Sequence, residues 1–364
     1  MRTSRTLHLC ILLGLGALAG CEDSTSPNPP LGLDAEAALA DYEALDSAFA
    51  SPAWEGFRAL GDRTPFGGGA AVQAVAALEA SAGPDGGRAF ALELVRRLRA
   101  SAPAGAPAAA PLISDDFRGV TFVYDAELDE YVADPEREGA PANGLRFVVY
   151  DVDEDGVPLP DQEIGYADLL DEGDESAEDA ALRVVVVVDE VTRIDYATTV
   201  EIGFGTASLT VRGFVDGERA PRLDFDIAVD ATEEPGEATL DATFELAVEA
   251  RDFSITGEVR GVEEGSEGEG DIVVAVRHGS RTLDVDISGS AGQVDGTIHL
   301  DGELFATISG PASDPVFLPA DGEPLDTGEL LVLRHLADAA EDVFDLLEDL
   351  VDPVDELILL GIFL

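Results

Sequence analysis

The chain contains no lysine: all 21 of its basic residues are arginines, set against 75 aspartates and glutamates in 364 residues. That absence removes the phosphate-loop lysine, the Schiff-base lysine and the Ser-Lys dyad from the chemistry open to it. Cysteine is nearly missing too. Cys10 and Cys21 are the only two, so everything after residue 21 lacks a disulfide, a thiolate metal site and a cysteine nucleophile. A mature chain of about 340 residues is long enough to hold a core without such staples. Aromatic residues are 6% of the chain, too few for the two interfacial girdles of an outer-membrane barrel. No HExxH, GxSxG or GxGxxG pattern occurs, and Gly203-Phe204-Gly205 lacks the third glycine and lies among strands.

What is present is acid. The formal net charge is −54. Such a surface repels phosphate backbones and anionic headgroups, which excludes nucleic acid as a partner and a polybasic patch as a membrane anchor. The acids are spread over the whole chain. That favours adaptation to high salt, where screening relieves self-repulsion, over a device that collects cations. With so many carboxylates some close pairs are inevitable, so no catalytic pair is assigned. Three histidines follow residue 21: His278 in a turn, His299 between Ile298 and Leu300, and His335 near the start of the last helix. Each reads as a surface histidine, and no catalytic residue is expected.

Arg2 and Arg5 precede an almost wholly apolar run from Leu9 to Leu18, followed by Leu18-Ala19-Gly20-Cys21. A positive segment, a short apolar segment and a small-residue site make a secretory signal. The run is too short for a lasting membrane span, which needs about 20 residues. The tetrapeptide resembles the bacterial lipobox. The resemblance covers about the first 25 residues and implies cleavage between Gly20 and Cys21 with acylation of Cys21. It also implies export to the cell envelope and attachment to a membrane through that lipid. Residues 1–20 are then the signal peptide and 21–32 a lipidated tether, polar and Ser/Pro-rich in Glu22–Pro30. Cleavage removes Arg2 and Arg5 and no acid, which takes the charge from −54 to −56.

Three zones follow. Residues 33–100 read as helical, with helices expected over Ala35–Phe49, Ala70–Ala82 and Arg88–Ala100. Arg96, Arg97 and Arg99 form a local positive cluster that suits pairing with an acidic body. Residues 101–111 are a Pro/Ala linker. Over 112–310 the period changes to two: Leu240, Ala242, Phe244, Leu246 and Val248 alternate with Asp241, Thr243 and Glu245. Strict alternation is a strand with one buried face. Turn signals at Asp216-Gly217, Pro235-Gly236, His278-Gly279, Ala291-Gly292 and Asp301-Gly302 separate the runs. Eleven or twelve strands joined by short turns predict an antiparallel meander. Leu182–Val188, a continuous apolar run, is expected to be covered on both faces. Residues 328–364 return to amphipathic helix, with Pro353 a kink and Leu357–Leu364 a greasy tail that needs cover. The expected fold is α+β: a curved antiparallel sheet or incomplete barrel, packed on helices from both chain ends.

Asp151-Val152-Asp153-Glu154-Asp155-Gly156 matches the first half of an EF-hand-like calcium loop, with Asp151, Asp153 and Asp155 as ligands. The second half departs from it: Gln162 stands at the twelfth position, and Pro158 and Pro160 interrupt it. An acidic hairpin turn is the competing expectation. Asp171–Asp179 and Glu263–Asp271 read as solvated loops. Apart from calcium no cofactor is expected. The functional expectation is a non-enzymatic envelope lipoprotein, structural or protein-binding. The alternative is a carrier of lipid or another hydrophobic ligand on the concave face. Periplasmic and mycobacterial lipid-binding lipoproteins are similar in that outline alone.

Overall fold

A computed structural model describes residues 47–61, 63–64, 113, 115–173, 179–203, 205–217, 221–234, 237–264, 267–290, 292–311 and 315–320. The signal, the tether, the 101–111 linker, the helices expected at 70–82 and 88–100 and those of 328–364 lie outside the described residues. Residues 47–49, the described end of the helix expected over Ala35–Phe49, are helical, and helix α1 (Pro52–Gly61) follows before β1 (Thr121–Asp125), β2 (Glu130–Ala133) and β3 (Gly144–Val152). Then come β4 (Pro158–Asp171), β5 (Asp179–Val188), β6 (Val191–Gly203), β7 (Thr206–Val215) and β8 (Leu223–Glu234). β9 (Glu237–Val248), β10 (Phe253–Glu264), β11 (Glu267–His278) and β12 (Arg281–Ser290) follow. β13 (Gln293–Leu300), β14 (Glu303–Pro311) and β15 (Val316–Pro319) complete the sheet.

All fifteen strands form one sheet in the order β15 through β3 in sequence, then β1 and β2. It does not close on itself. From β3 to β15 every strand pairs antiparallel with its chain neighbours, so the meander expected from the turn spacing is the fold. Of the predicted turn residues that are described, Asp216, Gly217, Gly279, Gly292, Asp301 and Gly302 fall between strands, and His278 ends β11. Asp301 and Gly302, with φ of 52° and 81°, make the β13–β14 turn in which both central residues take positive φ. Fifteen strands exceed the eleven or twelve expected because β1, β2 and β15 are only four or five residues long. One pair breaks the antiparallel rule: β1 lies parallel to β3, with Phe122 opposite Phe147. The sheet also runs past residue 310, to Pro319.

Three local expectations change. Of Asp171–Asp179, expected as a solvated loop, Asp171 ends β4 with its side chain 5% exposed and Asp179 opens β5. Glu263–Asp271 is strand, not loop, outside the undescribed 265–266: Gly261 pairs with Gly270 and Arg260 with Asp271. Its acids and glycines alternate, so the period of two persists although no apolar residue marks it. The strand covered on both faces is β3 rather than β5. Leu145, Phe147, Val148, Val149 and Tyr150 are all buried. In β5, Leu182, Val184, Val186 and Val188 are buried, whereas Val185 and Val187 are half-exposed on the outer face. Beside β3 that outer face is crossed by the chain near Gly139, which approaches the Arg146 guanidinium.

The inner, apolar face carries the core. α1 starts at Ser51, whose carbonyl accepts the Glu55 N–H at 3.0 Å and whose hydroxyl accepts the Trp54 N–H at 3.3 Å. Pro52 then fills the first helical position, where no N–H is needed. Gly56 lets the helix sit directly on β3; a Cβ there would meet the Tyr150 carbonyl at 2.6 Å. Trp54 and Phe57 are buried. They continue an aromatic series from Phe49 through Tyr196 to Phe225, with successive ring centroids 5.1, 6.0, 6.1 and 6.2 Å apart. Burying one such ring fully stabilises by about 1.5–3 kcal/mol. α1 packs on β3 to β6.

Asp171, at the end of β4, fastens the approaching chain to the sheet. Its carboxylate accepts the Ile113 N–H at 3.4 Å, Arg118 Nη2–H at 3.0 Å and the Gly173 N–H at 3.2 Å. Its backbone N–H donates to the Asn143 carbonyl at 2.9 Å, and its carbonyl accepts Asn143 Nδ2–H at 3.1 Å.

Candidate functional site

Register across the inner face gathers a feature no linear reading displayed. Leu240 on β9 stands opposite Gly261 on β10, which pairs with Gly270 on β11; Gly270 pairs with Gly289 on β12. Gly289 pairs with Val294 on β13, and Val294 with Gly310 on β14. Four glycines stand in this row, on β10, β11, β12 and β14, with Val294 between them on β13. A Cβ on Gly270 would meet the Arg260 carbonyl at 3.3 Å, and one on Gly289 the Gln293 carbonyl and a Val294 methyl at 3.5 Å. The adjacent row is Ala242, Val259, Ile272, Ile287, Gly296 and Ile308. Here burial fades: Val259, Ile272, Ile287 and Val294 are half-buried, whereas Leu209, Val211, Phe225 and Ile227 are buried. The result is an apolar, half-buried patch with no charged side chain in either row. The signal was in the sequence as glycines at inward positions, but aligning them needs the strand register.

The acidic segment at Asp151 is the turn between β3 and β4. Asp153 N–H donates to the Val157 carbonyl at 3.0 Å, and Gly156 N–H to the Asp153 carbonyl at 3.0 Å. The Asp153 carboxylate accepts the N–H groups of Asp155 at 2.9 Å and Val157 at 3.0 Å. Asp151 accepts the Val152 N–H at 3.0 Å. Calcium bound here by Asp151, Asp153 and Asp155 would have to take Asp153 Oδ1 from two backbone amides. Among the described residues no three His, Cys, Asp or Glu side chains are grouped to hold a metal. Cys21, Gly20 and His335 lie outside the described residues. His278 ends β11, and His299 faces outward on β13, opposite Asp284.

No family model, curated protein or solved structure matches this chain.

The outer face is polar and tied crosswise. Arg146 lies opposite Asp168 and binds it through two N–H groups at 2.6 and 2.8 Å, with its guanidinium 3.6 Å above the Tyr166 ring. Arg183 grips Asp195 at 2.8 and 2.8 Å, and Arg137 grips Glu163 likewise. Arg212 sits opposite Asp226, and Arg260 opposite Asp241. Exposed pairs of this sort are each worth about 0–1 kcal/mol. Their larger effect is to cancel each of these cations locally, leaving the surrounding acids in excess.

Near β2 lies a tyrosine cluster. Asp129 accepts the Tyr124 O–H at 2.7 Å and Arg63 Nε–H at 2.9 Å. The Tyr124 hydrogen bond first, then that of Arg63, holds the Asp129 carboxyl below its ordinary value. Burial pushes the Tyr124 and Tyr150 phenols up, and drives Tyr131 out of the range any physiological pH reaches. These phenols stay neutral and act as packed rings; Tyr124 also donates to Asp129, whereas the buried Tyr131 hydroxyl has no partner among the described residues.

Proposed function

We propose that this is a lipid-anchored envelope protein whose β domain is a non-catalytic module, structural or protein-binding. One observation carries the reading: a single sheet of fifteen strands, a meander from β3 to β15, with one apolar and one polar face. At about 4.8 Å per strand spacing, such a plate extends about 67 Å along its curve. It offers a rigid, acidic outer surface on which the described arginines of the crosswise pairs are already matched to carboxylates. Anchoring rests on the lipobox resemblance at Leu18-Ala19-Gly20-Cys21. It is tested by palmitate labelling of the full chain and of Cys21→Ser: the variant should lose the label and leave the membrane fraction. Label retained by the variant would refute the anchor.

A specific observation favours a second reading, a carrier of lipid or another hydrophobic ligand. α1 packs on β3 to β6, while the apolar glycine patch lies away from it on β10 to β14. Native mass spectrometry of residues 22–364 in high salt separates the two readings. A lipid-sized mass released on denaturation supports the carrier. A clean apoprotein supports the module, and the search for its protein partner then turns to the envelope. Calcium is a further proposed ligand; calorimetry without binding tighter than millimolar would leave Asp151–Gly156 a turn.

A further inference from the structure

We propose that Asn143-Gly144 is a succinimide-forming site that the fold holds in check, and that its conversion loosens the β3–β4 end of the sheet. Asn143 is exposed in the turn that leads into β3, and the next residue is glycine, which puts no Cβ in the way of the reaction. Once hydroxide removes the Gly144 amide proton, that nitrogen attacks the Asn143 side-chain carbon. The bond from that carbon to Nδ2 breaks, and ammonia departs with a proton from water. Water then opens the imide at either carbonyl, giving aspartate or, with the main chain rerouted through the side chain, isoaspartate.

Both reacting groups are engaged in the fold. The Gly144 N–H donates to the Pro141 carbonyl at 3.1 Å, and Asn143 Nδ2–H donates to the Asp171 carbonyl at 3.1 Å. The backbone around the attacking nitrogen is also confined, because the Cβ position of Gly144 is filled by the Leu169 carbonyl. Reaction therefore waits for local opening of this end, whose free-energy cost sets the rate. The product matters because the new carboxylate cannot donate. It loses the bond to the Asp171 carbonyl and adds a negative charge beside the residue that holds Ile113 and Arg118.

The purified protein is incubated at mildly alkaline pH, folded in high salt and unfolded in urea, with isoaspartate at residue 143 followed by peptide mass and enzymatic methylation. The expected result is ready conversion in urea and conversion slower by about tenfold or more in the folded protein. Equal rates would overturn the protection, and no isoaspartate in urea would overturn the site. Asn143→Gln, which closes the ring far less readily, should abolish the signal in urea; persistence of the signal would place the chemistry elsewhere. Asn143→Asp should melt lower than the parent protein, and an unchanged melting temperature would overturn the loosening.

Discussion

Thr198 sits on the inner face of β6 with 1% of its surface exposed, and its hydroxyl has no hydrogen-bond partner. Its register neighbours are Leu182 and Val211, so the oxygen lies in hydrocarbon. An unsatisfied buried hydroxyl costs about 1–3 kcal/mol. Thr198→Val keeps the shape and removes the oxygen, and should raise the thermal midpoint; a fall would show that the hydroxyl is satisfied. Asp129 makes a different single-residue case. Its folded value lies below its ordinary 3.8, so ionised Asp129 stabilises the fold above that pH. The contribution is lost as the pH falls through the folded value. Because Asp129 is largely exposed, the effect is small. Asp129→Asn should lower the midpoint near neutral pH, with the gap closing below about pH 3.8. A gap that persists in acid would assign the loss to packing.

Facing strands carry a coupling of their own. Gly257 on β10 lies opposite Phe244 on β9, and a Cβ there would collide with the ring. The ring fills the space the glycine leaves. Gly257→Ala should cost about 1–3 kcal/mol through overpacking. Phe244→Leu should recover part of that in the double variant, which chemical denaturation of all four proteins would measure. Strict additivity would mean that the two positions do not touch. The same pair shows what was legible beforehand. The alternation through Leu240–Val248 and Leu223–Val229 marked strands and their buried faces, because a period of two has one physical cause. Pairings were not legible where the cause is tertiary. The parallel β1–β3 contact depends on chain crossing the outer face, and the cover over β3 comes from the same place. α1 was announced by Ser51-Pro52, a cap and first-turn pair that the broader pattern of the helical zone obscured. The acid–glycine alternation of Glu263–Asp271 hid a strand because hydrophobicity was the cue. As for the apolar patch on β10 to β14, its glycines were visible singly, and only register set them in line.

The whole molecule is governed by charge and by its two edges. Like charges face one another across strands where Asp230 stands against Asp241, and such a pair destabilises until salt screens it. The melting temperature of residues 22–364 should therefore rise between low and molar NaCl, and a flat profile would refute salt adaptation. At one edge, the Tyr131 N–H of β2 is already bonded to the Arg63 carbonyl at 2.8 Å. At the other, the Ala320 N–H donates to the Phe305 carbonyl, so Phe317 and Pro319 point their backbone outward. Pro319 has no N–H to offer. Pro319→Val would restore an outward donor and should promote association with concentration in sedimentation velocity; a strictly monomeric variant would show the edge is guarded by something else. The linear strand order also sets a tempo. From β3 onward each strand closes only a short loop to meet its partner, so contact order is low for an all-strand sheet and folding should be fast. A growing chain can lay down hairpin after hairpin as it emerges, each templating the next. What must wait is the seating of α1, whose partners β3 to β6 are all made after it.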